Sequence, residues 1–160
     1  MPDKMRIDEQ LHALAAQGEG SSDLVAFEMG AGQTLELQRA AIERLACSFE
    51  RLTLRSAALT TAGPEHLKQV AESLSHRLSY LLEPIRPLEI DDEACIIQMR
   101  SVPPSVDDEG STYYELVVSR GQIDLCRYTK KPGHSRGLVP ATLTREAFCR
   151  LAQDFLAAVG

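Results

Sequence analysis

The chain has 160 residues, 44% of them apolar and 25% charged, and a formal net charge of −6. That length can bury a real core and is most simply one globular domain. The acidic balance disfavours general binding to nucleic acid or to an anionic membrane, and no run approaches the ~18 apolar residues of a membrane span.

The first ten residues, MPDKMRIDEQ, lack the apolar centre of a signal peptide. The four cysteines, Cys47, Cys95, Cys126 and Cys149, form no CxxC or Cys-His cluster. Reduced thiols in a cytoplasmic protein are therefore the expectation, with no structural metal and no cofactor.

In chain order, residues 5–17 read as a short helix with Ile7, Leu11 and Leu14 on one side. Residues 18–33 are rich in Gly, Ser and Ala around a small apolar run, LVAF, and read as a linker with room for one short element. The expectation is an N-terminal helix and flexible segment over 1–33, then a single domain over 34–160. Thr34 suits an N-cap, and Leu35, Ile42, Leu45, Ala46 and Phe49 recur at helical spacing, so a helix is expected from Thr34. Over 51–59, Leu52 and Leu54 alternate like a strand, while Phe49, Leu52, Ser56 and Leu59 also fit a continuing helix; the alternation favours the strand.

Gly63-Pro64 opens the next helix, since proline suits the first helical position. Its stripe is Leu67, Val70, Ala71, Leu74, Leu78 and Leu81, and Pro84 stops it. IRPLEI, 85–90, reads as an edge strand that tolerates Pro87, and 94–102 as a strand with Cys95, Ile97 and Met99 inward. LVPATL, 138–143, reads as a short strand with Pro140 at an edge or bulge. Thr144 caps a last helix whose stripe is Phe148, Leu151, Ala152, Phe155, Leu156 and Val159.

The strongest pattern is TYYELVVSRGQIDLCRYT, 112–129. With Arg120-Gly121 as the turn, Val118 faces Ile123, Leu116 faces Leu125 and Tyr114 faces Arg127 on one side. The other side then carries Val117 with Asp124, Glu115 with Cys126 and Tyr113 with Tyr128. One face is apolar and one mixed, and a slip of one residue would destroy that sorting. On this register Leu116 is inward and intolerant of charge, whereas Glu115 is outward and tolerant. Together these elements predict an α+β fold: an antiparallel sheet of about four to five strands with helices packed on one face.

Two candidate sites follow. Ile96, Tyr113, Val117 and Tyr128 lie on the mixed face, opposite the expected helical layer. They suit an interface with a second copy or another protein. The loop holding Lys130, Lys131, His134 and Arg136 is the only dense basic cluster. It suits an anion, with Arg100, Arg120 and Arg127 as further cations for an acidic partner. It matches no Walker loop, and GHSRG places its serine one position late for a nucleophile elbow. Cys126 lies beside Glu115, which raises a thiol pKa, so it reads as inert. The best reading is a non-catalytic interaction module. The alternative is a small enzyme or anion-binding protein built on His134 and Arg136.

Overall fold

The computed structural model describes residues 7–12 and 21–160. Residues 7–12 are helical (α1), with Ile7 and Leu11 in the core. The rest of the helix expected over 5–17, and the start of the expected linker, lie outside the described residues.

The fold is α+β, but among the described residues its sheet has 11 strands where four or five were expected. Two of the extra strands come from segments read otherwise. β1 (Ser21–Gly30) occupies most of the expected linker, and β2 (Gln33–Ile42) replaces the start of the expected helix. They pair with each other, so the boundary drawn at residue 33 falls at the start of β2, inside this hairpin. Val25, Phe27 and Met29 alternate inward along β1, as a strand covering a core requires.

The remaining excess comes from breaks. β3 (Ala46–Phe49) and β4 (Arg51–Ser56) both pair with β2 and are separated at Glu50. β5 (Ile85–Asp91) is the edge strand beside β6 (Ile96–Ser101), with an irregularity between Pro87 and Glu89. β6 and β7 (Ser105–Asp107) pair in turn with β8 (Gly110–Ser119) and are separated around Pro103-Pro104. β9 (Gln122–Lys130) follows, and the expected 138–143 strand splits at Pro140 into β10 (Gly137–Val139) and β11 (Ala141–Thr144). Proline has no N–H to give a ladder, so a strand interrupts there.

The central hairpin holds the predicted register from Tyr113↔Tyr128 to Ser119↔Gln122. Gly121 takes φ 85° while Arg120 keeps a negative φ, so the turn is not type I′.

That register orders the whole sheet. Phe27, Leu35, Leu54, Ile123, Val118, Ile97 and Ile90 form one row across successive strands. Val25, Leu37, Leu52, Leu125, Leu116 and Met99 form the next. Both rows face the helical layer. α2 (Pro64–Arg77) packs on β6 and β8, and α3 (Arg145–Val159) packs on α2, β3 and β4. All six expected stripe positions from Leu67 to Leu81 are buried, the last two in a 3-10 turn, Leu78–Leu81. Thr144 caps α3 as expected: its hydroxyl accepts from the Ala147 N–H at 3.0 Å.

Candidate functional site

The odd residues of β8 and the even residues of β9 point away from the helices. Across strands they form an outer row Arg51, Cys126, Glu115 and Arg100, flanked by the pair Tyr113 and Tyr128. Glu115 thus sits beside a cation by strand register alone. Its side chain is 8% exposed. Gln98 Nε2 donates to its Oε1 at 2.8 Å, Arg100 Nη2 lies 3.4 Å from its Oε2, and Arg136 closes on the same oxygen.

Burial pushes the Glu115 carboxyl up. The hydrogen bonds from Arg136 and Gln98, with the charges of Arg136 and Arg100, outweigh it, and the carboxyl is held below its usual range. The expectation that Glu115 is outward holds for direction only. It is buried under the long side chains of its own face, so the expected tolerance is revised.

The two tyrosines are ordered by the same cations. Their rings lie 6.0 Å apart, with the Arg100 guanidinium 4.6 Å above Tyr113 and that of Arg136 3.8 Å above Tyr128. Tyr113 is buried, Val117 and Tyr128 are half-buried, and Ile96 is exposed. Leu138 on β10 faces Tyr128 in register and is exposed. Further along, the face is a closed polar mesh. Thr53 Oγ1 and Gln122 Nε2 both donate to Asp124 at 2.6 Å, and Arg55 Nη1 donates to Gln122 at 2.8 Å.

The two sites expected from the sequence therefore meet at Arg136, which leaves the basic loop to reach the sheet face. The other three basic residues stay with the loop or its edge. Lys130 Nζ donates to the Lys131 and His134 carbonyls, His134 Nδ1 lies 3.0 Å from the Pro132 carbonyl, and Lys131 is exposed. Arg127 and Arg120 do not join them. Arg127 lies on the inner face, paired with Glu83 at 2.9 Å and stacked on Tyr114, and Arg120 Nε donates to the Ala62 carbonyl.

Cys126 is buried on this face. Burial raises its pKa and nearby Asp124 and Glu115 raise it further, against Arg51, so it stands as a thiol at neutral pH. Among the described residues, no group of three or more His, Cys, Asp or Glu is placed to hold a metal, and no helix is long and apolar enough to cross a membrane. What the arrangement offers chemically is a pre-ordered surface of aromatic rings and guanidinium groups with an apolar margin.

The parity of 112–129 placed Tyr113, Val117 and Tyr128 together, but it missed Glu115 as the centre. Its partners Gln98, Arg100 and Arg136 lie 15–21 positions away in the chain. Comparison with protein-family models, with curated proteins and with solved structures finds no match to this chain.

Proposed function

We propose that this chain is a non-catalytic interaction module that pairs with a second copy of itself through the outer sheet face. The observation that carries the reading is the Tyr113–Tyr128 pair, held by Arg100 and Arg136 beside exposed Leu138, with exposed Ile96 farther along the same outer face opposite Ser119. Tyr and Arg are the residues enriched at binding hot spots, and side chains already ordered lose less entropy on association.

The charges around the face favour a two-fold partner. The acidic turn Asp107–Glu109 lies on the β7 side of β8, and the basic loop Lys130–Arg136 follows β9. A two-fold axis near the tyrosines sets the acid turn of one copy toward the basic loop of the other. Such an isologous contact closes after two subunits.

Sedimentation of the wild type over a concentration series, beside Ile96→Ser/Tyr128→Ser, tests this. Truncating a hot spot costs about 2 kcal/mol, so the double variant is expected to associate at least about thirtyfold more weakly. Both sites retain exposure, so circular dichroism is expected to show an unchanged fold. A wild type that stays monomeric throughout refutes the reading, as does a double variant that associates as tightly as the wild type.

A further inference from the structure

One end of the outer face is opened by the break between β6 and β7. Pairing runs in register to Arg100↔Glu115 and resumes at Ser105↔Thr112, so residues 101–104 stand opposite only Tyr113 and Tyr114. The extra backbone swings away through Val102, Pro103 and Pro104, and the Ser101 hydroxyl accepts from the Tyr114 N–H at 2.8 Å. The excursion leaves a groove of about 430 Å³.

Its walls are cationic. Arg100 comes from β6, Ser111 and Tyr113 from β8, Lys130 from the end of β9 and Arg136 from the loop beyond. The carboxylate of Glu115 offsets one of the three cations, and a positive surplus remains. Asp107 is not among the groove's lining residues, and its Oδ1 is turned to the Glu109 and Gly110 N–H groups of its own turn. Among the described residues, the buried Arg100 Nε–H has no hydrogen-bond partner. Lys130 spends two of its ammonium protons on the Lys131 and His134 carbonyls and keeps a third.

We propose that this groove binds a phosphate group. Donors that converge from two neighbouring strands, a strand end and a loop suit an anion with several acceptor oxygens and more than one negative charge, in preference to a planar monoanionic carboxylate. The assignment concerns a site within one chain and does not depend on self-association.

The test is a titration of the wild-type chain with inorganic phosphate, with O-phosphoserine and with acetate, followed by backbone amide shifts. Saturable shifts at Arg100, Ser111 and Lys130 are expected with both phosphates, and much weaker ones with acetate. Lys130→Gln is expected to weaken phosphate binding at least about tenfold, since a hydrogen bond to a charged group is lost. Arg100→Gln is expected to do the same. Because Arg100 also pairs with Glu115, the lysine variant separates a binding loss from a folding defect. Arg86→Gln, on the exposed edge strand, is expected to bind as the wild type does. Equal binding of the two phosphates assigns the groove to the free ion, and tighter phosphoserine assigns it to a phosphate carried on an organic group. Shifts that never saturate, or that persist unchanged in Lys130→Gln, overturn the proposal.

Discussion

Glu115→Gln isolates the charge at the centre of the outer face. The substitution keeps the side-chain volume and one carbonyl acceptor, and it removes the negative charge that Gln98, Arg100 and Arg136 converge on. The Arg136 side chain is 37% exposed, so its pair is screened and contributes about 0–1 kcal/mol. The less exposed hydrogen bonds from Gln98 and Arg100 are of the charged kind, about 1.5–3 kcal/mol where one is lost. A net loss of about 2 kcal/mol is expected. For a chain of this size that is a fall of about 4–8 °C in melting temperature.

The pH dependence supplies the sharper check. The folded Glu115 carboxyl is held below its usual value. A depressed carboxyl contributes stability above its unfolded pKa of ~4.3, and that contribution is lost as pH falls through the folded value. The gap between wild type and Glu115→Gln is therefore expected to be constant near neutral pH and to close in acid. Calorimetric melting of both proteins across the pH range measures it. Equal melting temperatures at neutral pH, or a gap that stays open in strong acid, would show that the ionised carboxylate is not what stabilises the face.

Leu116→Asp places an unpaired charge at a position with no exposure, opposite Leu125, and is expected to cost several kcal/mol and abolish cooperative melting. Gly110→Ala would set a Cβ 2.2 Å from the Lys130 carbonyl oxygen, a backbone atom that cannot simply turn aside. A loss of about 1–3 kcal/mol in chemical denaturation is expected, and a wild-type midpoint would contradict the β8–β9 end geometry. Thr144→Ala removes the cap that accepts from Ala147 and is expected to cost about 1 kcal/mol by the same measurement. All four cysteines are buried, and burial with the neighbouring Cys149 pushes Cys47 up to about 12 against the pull of Arg145. A thiol-specific chromophoric disulfide is expected to react rapidly only in denaturant; prompt reaction of the native protein would refute that burial.

Local pattern decided the elements whose apolar spacing has one period. The α2 and α3 stripes, the Thr144 cap and the 112–129 register were all legible, because each is set by side chains a few positions apart. The helix expected from Thr34 failed for a definite reason. Arg39 has φ 55°, and both Gln38 and Arg39 point to solvent. That irregularity shifts the strand's phase, so Leu35, Leu37, Ala40 and Ile42 are all buried. Leu35 and Ile42, seven apart, then mimic two helical turns, and Leu45, counted in the same stripe, is 78% exposed. The break at Glu50 does likewise for Phe49 and Leu52.

The outer face divides the same way. The sequence by itself determined that Tyr113, Glu115, Val117 and Tyr128 share one side of the hairpin, because side chains alternate along a strand. Only the tertiary structure decided that Glu115 is buried, that Arg100 stands beside it and that Arg136 folds back onto it. Alternation reports which side of a strand a residue takes. The partner of a polar side chain depends on the order of strands and the path of loops, and those are settled by the packing of the whole chain.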